Sequence, residues 1–369
     1  MSAESTPTRI IFPQSTLYGW NPLSFEPANE VIKTSFYSGD IHRHLMNAIA
    51  FSFKEQSKEY IEKKQNLISL TTRVDRYAAF FIPGGDFDSV LGLAISMLPG
   101  FICDDVRDRS SEDKTTNHLM TDALLRIPKL VNEHWQRNGK TVVDREQTAL
   151  EVVEEYGMTG SAGIDGFSRL LALGAIFART NAGNDATYGW YVEEWIRWAS
   201  QPYSIRDRHL AGVSEQELLD HRLENSGTHA AISQSVVFSG ISVSRESIHH
   251  PLHQILLDTQ ALHIVLLNDI FSYDREKGMV GAVENLVEYW RLFHTPGQNL
   301  DQTIDRTIQR VNEYMEEFLK AWKVAQTMDE EMKLLAMTSA RHMFGNIAWS
   351  MEAPRYSRQK FVAEAILLK

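Results

Sequence analysis

Leu266–Gly278 reads L-L-N-D-I-F-S-Y-D-R-E-K-G, and its oxygen-bearing residues Asn268, Ser272 and Glu276 recur four apart. At about 3.6 residues per turn each such step drifts by only ~40° around a helix, so an amide oxygen, a hydroxyl and a carboxylate share one face. The residues before them, Ala261–Leu267, are apolar except for His263. This oxygen row therefore belongs at the inner edge of a buried helix rather than on a wet surface. Hard cations such as Mg²⁺ choose oxygen ligands, keep several waters and are commonly completed by substrate phosphates. Lys277, beside Glu276, is placed to meet a phosphate.

Around this stretch the chain is ordinary in bulk. Its 369 residues are 43% hydrophobic and 23% charged, which excludes a fibrous or disordered protein. The net charge of −11 comes without any run of Lys or Arg, so a nucleic-acid partner lacks its electrostatic footprint. Cys103 is the single cysteine, which excludes an intrachain disulfide and a cysteine zinc cluster. Met1–Ser15 is rich in Ser, Thr and Pro and has no apolar h-region. The longest apolar run, Val90–Cys103, is short for a bilayer and contains Pro99-Gly100. The expectation is a soluble cytoplasmic protein without stable membrane insertion.

Residues 1–25, with Pro7, Pro13 and Pro22, read as an extended lead-in, and 26–369 as one domain. Helical spacing is expected over Asp40–Lys63 and Leu67–Phe81, up to the Pro83-Gly84-Gly85 break. Asp86 or Asp88 then caps an apolar helix through Leu91, Ile95, Leu98 and Ile102, kinked at Pro99 and fraying where C-D-D-V-R-D begins. Further helices are expected over Thr115–Asn138, Val142–Tyr156, Phe167–Arg179, the aromatic stretch Tyr188–Trp198, Glu215–Phe238 with a break at Asn225-Ser226-Gly227, Ser247–Gly278, Leu300–Lys323 and Glu331–Ser350. Period-two alternation is scarce, so the chain reads as all-α.

Asp104, Asp105 and Asp108 form a second acidic group. Asp104 and Asp108 lie about one turn apart, so both carboxylates can face one cation. An isolated triplet of this kind equally describes a solvated helix end; here it closes an apolar helix while partner oxygens sit on another.

The combination of D-D-V-R-D at Asp104–Asp108, N-D-I-F-S-Y-D-R-E-K at Asn268–Lys277 and R-Y at Arg355-Tyr356 resembles, in order and spacing, the three hallmarks of class I terpene synthases of microbial type. G-A-V-E-N-L-V at Gly281–Val287 and F-G-N-I-A-W-S before Arg355 look like family surroundings. The resemblance implies a single-domain helical bundle over 26–369 around a central cavity that holds an isoprenyl diphosphate. It implies three Mg²⁺ ions, held by Asp104 with Asp108 on one side and by Asn268, Ser272 and Glu276 on the other. It also implies a diphosphate-sensing arginine before a helix break, a place Arg222 fits, although Asn225 and Ser226 depart from the family's usual break residues. A surface ion pair with Asp220 or Glu224 is the plain alternative for Arg222. Arg355 and Tyr356, set just beyond a helix end by Pro354, would fold over the cavity mouth and bind diphosphate with Arg222 and Lys277.

A carbocation needs aromatic faces and little water, and Phe81, Phe101, Phe177 and Trp349 are candidates, each equally readable as core packing. The D-x-D-D acid of class II cyclases is absent at Asp86–Ser89, and no H-E-x-x-H, G-x-S-x-G or phosphate-cradling G-x-x-x-x-G-K-[ST] occurs. The expected activity is ionisation and cyclisation of farnesyl diphosphate, a lyase reaction, by analogy with single-domain relatives of this size. A diterpene cyclase using geranylgeranyl diphosphate, a chain-elongating isoprenyl diphosphate synthase and a non-catalytic helical scaffold are the alternatives. Aromatic-rich helix faces are compatible with a homodimer.

Overall fold

The computed structural model describes residues 38–56, 72–109, 114–201, 213–277, 285–294, 297 and 299–356. The lead-in at 1–25 and the expected helical residues at 57–63 and 67–71 lie outside them. Among the described residues there is no strand. The helices are α1 (Ser38–Ser52), α2 (Val74–Phe81), α3 (Phe87–Arg109), α4 (Lys114–Arg137), α5 (Arg145–Tyr156), α6 (Ala162–Asn181), α7 (Asp185–Ala199), α8 (Glu215–Asn225), α9 (Thr228–Phe238), the single turn α10 (Arg245–Ile248), α11 (Pro251–Glu276), α12 (Leu286–Tyr289), α13 (Leu300–Ala325) and α14 (Glu330–Glu352). A π turn follows α12 at Trp290–His294, and a 3₁₀ turn, Pro354–Tyr356, follows α14.

α3 starts where Asp86 accepts a hydrogen bond from the Ser89 N–H at 2.7 Å, which settles the cap on Asp86. The expected fraying after Cys103 does not occur. α3 stays helical to Arg109, and Val106 still packs against the core on this further turn. Both α3 and α11 contain stretches, Phe87–Asp104 and Pro251–Glu276, long and apolar enough to cross a membrane. Both are mostly buried within the bundle.

The helix break lies where the sequence places it. Ser226 caps α8 and Gly227 adopts φ +71°, a left-handed conformation that glycine tolerates. A Cβ on Gly227 would also come within 3.2 Å of the Trp198 ring, and Trp198 donates through Nε1 to the Asn225 carbonyl at 3.0 Å. The α7 aromatics thus brace the break: Tyr188, Trp190, Tyr191, Trp195 and Trp198 are all buried.

α11 packs against α8, α9, α12, α13 and α14, and α14 packs on α2. The last contact is close. A Cβ on Gly345 of α14 would lie 2.6 Å from the Phe80 carbonyl oxygen, so only glycine lets α14 approach α2 this nearly. Trp349 adds a hydrogen bond from Nε1 to the Thr72 carbonyl at 2.6 Å.

Candidate active site

The oxygen row on α11 faces inward as its spacing predicts. Ser272 is 0% exposed and Asn268 is half-buried. Asn268 donates through Nδ2 to the Tyr356 hydroxyl at 2.6 Å, which leaves its amide oxygen for a cation. That bond ties the 3₁₀ turn after α14 to the α11 motif, and Tyr356 is itself buried. Glu276 accepts from Arg275 at 2.9 Å on one oxygen and from Asn285 Nδ2 at 3.0 Å on the other. Burial pushes the Glu276 carboxyl up, yet Arg275, Asn285 and Arg222, helped by nearby Ser272, outweigh it and hold the group below its usual range. Glu276 is an anion in a largely desolvated place. The Ser272 hydroxyl lies near enough to steady it, but makes no hydrogen bond of ordinary geometry.

Asp269, the second residue of the motif, is 0% exposed and organises the surroundings. One carboxylate oxygen accepts from Arg222 at 2.5 Å, and the other accepts the Leu286 N–H at 2.8 Å. Asn285 donates to the Asp269 carbonyl at 2.8 Å while also holding Glu276. Burial raises the Asp269 carboxyl to about 6, against the pull of Arg222. Arg222 therefore lies at the end of α8, just before the break, with its charge turned to α11. The surface pairing with Asp220 or Glu224 is not the arrangement found; Glu224 pairs with Arg197 instead.

Two basic residues flank Glu276, and they part company. α11 ends at Glu276; Lys277 is its C-cap, 53% exposed and ion-paired with Asp274. Arg275 is 31% exposed and turns inward. Although burial opposes its charge, Glu276, Tyr356 and Asp104 hold the guanidinium above its usual value. Arg275 thus feels the charge of both Asp104 on α3 and Glu276 on α11. Asp104 is exposed in the last turns of α3. The side chains of Asp105, Asp108 and Arg355 lie outside the described residues, as do Gly281–Glu284 of the G-A-V-E-N stretch.

Three of the four aromatic candidates converge. Trp349 meets Tyr356 at 5.5 Å and Phe101 at 5.8 Å, centroid to centroid. Tyr77 joins them, 5.1 Å from Trp349, 5.7 Å from Phe101 and 3.7 Å from Phe81. Phe81 in turn stacks on His342 at 4.0 Å. Phe177 is elsewhere: its ring lies under the Arg145 guanidinium at 4.2 Å, against α5. α6 is buried on nearly every side, so burial of Phe177 says nothing about which space it faces.

Tyr77, Asp269, Arg275, Asn285 and His342 were not singled out from sequence. Asp269, Arg275 and Asn285 stand inside stretches already quoted, and Tyr77 is one turn before Phe81. Of the histidines at 249, 250 and 253, the first two lie in the turn between α10 and α11, and the third lies inside α11. His250 caps α11 by accepting from Leu252 N–H at 3.2 Å, and His253 is buried against the Ile248 carbonyl at 2.7 Å.

Among the described residues no three His, Cys, Asp or Glu side chains gather as a metal site. The candidate donors on α11 are instead an amide oxygen, a hydroxyl and one carboxylate. All are hard oxygens, suited to Mg²⁺ rather than to zinc. The buried Ser272 hydroxyl has no hydrogen bond of ordinary geometry, so its oxygen fits a cation ligand.

Residues 176–317, which include Arg222 and the whole α11 motif, match the family described as terpene synthase family 2, C-terminal metal binding. No curated protein matches the sequence. Solved structures match the fold at low identity. An α-eudesmol synthase is 15% identical with a TM-score of 0.62, covering 86% of this chain and 96% of its own. A cucumene synthase variant is 13% identical at 0.63, covering 88% and 97%. A hedycaryol synthase is 17% identical at 0.58, covering 87% and 97%. The family match runs across α11, the three motifs stand in order along the chain, and the all-helical fold is shared with these solved structures.

Proposed function

We propose that the chain ionises farnesyl diphosphate with Mg²⁺ and cyclises the resulting cation, releasing diphosphate. The observation that carries this reading is the α11 row itself. Asn268, Ser272 and Glu276 face inward together, with Tyr356 bonded to Asn268 and Arg222 bonded to the adjacent Asp269. Asn268, Ser272 and Glu276 on one side, with Asp104 and Asp108 on the other, would hold the metal. When bound, Mg²⁺ supplies the positive charge that makes diphosphate an adequate leaving group.

The chain's own residues do the rest. Arg275, whose charge is felt by Asp104 and Glu276 alike, joins Arg222, Arg355 and Tyr356 in supplying donors to the diphosphate oxygens, where charge grows as the C–O bond breaks. Tyr356 also positions the Asn268 amide. Trp349, Phe101, Tyr77 and Phe81 offer ring faces to the allylic cation and exclude the water that would quench it. A single helical domain of this size supports the fifteen-carbon substrate over the twenty-carbon one.

Incubation with geranyl, farnesyl and geranylgeranyl diphosphates and Mg²⁺, with volatile products read by mass spectrometry, tests the reading. Cyclic fifteen-carbon products from farnesyl diphosphate are expected. Twenty-carbon hydrocarbons would reassign the substrate, longer diphosphates would mean chain elongation, and inertness to all three would leave a scaffold.

A further inference from the structure

The aromatic wall ends at a histidine that the metal motifs do not call for. His342 lies on α14, seven residues before Trp349, and is almost wholly buried. Phe81 stacks on its ring and Tyr77 meets it edge-on at 6.4 Å. Its Nδ1 lies 2.8 Å from the Ser235 hydroxyl oxygen on α9.

Two tautomers fit this contact, and the back-bond of Ser235 selects one of them. A serine hydroxyl has one proton, and Ser235 donates it to the Ala231 carbonyl at 3.2 Å, the usual back-bond of a helical serine. With its proton so placed, Ser235 accepts from His342, and in that tautomer Nδ1 carries the imidazole proton and Nε2 the lone pair. Among the described residues the bond at Nδ1 is the hydrogen bond His342 makes. Burial lowers the ring to about 3, so it is neutral near pH 7. Nδ1 is turned to α9, and Nε2, on the other side of the ring, is turned away from it.

We propose that His342 Nε2 is the base that ends the reaction, removing a proton from the carbon beside the last carbocation. This rests on the preceding reading that the substrate is an isoprenyl diphosphate. The C–H bond breaks, its electron pair becomes the new C=C bond, and the proton stays on Nε2. The imidazolium then passes it to solvent as the hydrocarbon and diphosphate leave. Low basicity is no obstacle, since a C–H beside a cationic carbon is acidic enough for any well-placed lone pair; placement decides. The tasks are thereby divided along the wall. The Asn268–Tyr356 end starts ionisation, and the far end, reached through Trp349, Tyr77 and Phe81, terminates it. Ser235 is a positioning residue that sets the tautomer.

The test uses the full chain with farnesyl diphosphate and Mg²⁺, measuring diphosphate release and volatile products separately. For His342→Phe, which keeps a ring against Phe81 without a lone pair, the share of the wild-type main hydrocarbon should fall at least about tenfold, replaced by alcohols and products of earlier cations, while release falls no more than about threefold. Ser235→Ala, which frees the tautomer, should shift products the same way but less far. An unchanged product distribution in a His342→Phe that still releases diphosphate overturns the assignment. Should His342→Phe fail to fold, an unchanged distribution in Ser235→Ala overturns it. A wild-type main product that is an alcohol, formed by water capture, overturns it as well. Absence of diphosphate release by the wild type from any isoprenyl diphosphate is a different failure, of the underlying reading itself.

Discussion

On α11 the Glu276 carboxylate is gripped by Arg275 and Asn285 inside the bundle, whereas on α3 the Asp104 carboxylate stands exposed in the helix's last turns. The two are the proposed halves of one diphosphate clamp, and they differ in burial: the first is mostly screened from solvent and the second is exposed. Around the first, the buried Asp269 side chain joins Arg222 of α8 to the start of α12, and Asn285 returns from α12 to Glu276. Preorganised groups in a water-poor site act more strongly than exposed ones, which work through a high dielectric and must reorganise. If the proposed clamp is right, α11 is expected to carry the heavier share of catalysis.

The largest effect should separate those halves. Glu276→Gln is expected to slow diphosphate release about 10³-fold, and Asp104→Asn only about tenfold, because the first removes a held charge and the second an exposed one. Steady-state release assays on both variants check this, and equal losses would break the contrast. A smaller effect should sharpen it within α11. Arg275→Ala should cost about 10²-fold in release, as loss of a charged donor to the transition state does, and Lys277→Ala less than about threefold. The reverse order would return the diphosphate contact to Lys277.

This pair also shows where sequence reading stops. Periodicity placed Asn268, Ser272 and Glu276 on one inward face, and Gly227 marked the α8–α9 break, because both are local consequences of helix geometry and backbone freedom. Arg275 and Lys277 sit symmetrically on either side of Glu276, and only the helix end, with Lys277 turning out as C-cap, distinguishes them. Arg222 was found by its distance from a motif, but its partner Asp269 is a tertiary fact. So is the company of Phe81, Phe101 and Trp349, which three separate helices bring to Tyr77. Phe177, a phenylalanine buried like Phe81, lies against Arg145 instead.

The smallest effect concerns the burial of α11. His263, in the apolar run before the motif, is buried, and burial lowers its ring from 6.5 to about 3. Between those values the unfolded chain binds a proton here and the folded chain does not, so this site's contribution to stability is present at pH 7 and is lost as pH falls below 6.5. Denaturant melts at pH 7 and pH 5 should show the wild type losing about 2 kcal/mol more than His263→Leu over that interval. Equal losses would mean that α11 is wetter than its packing indicates.

The central claim is that the α11 oxygen row triggers the chemistry, and Asn268→Ala assayed for diphosphate release from farnesyl diphosphate with Mg²⁺ tests it most directly. Release should be nearly abolished while the helical fold, read by circular dichroism, persists. Release near the wild-type rate would contradict the account.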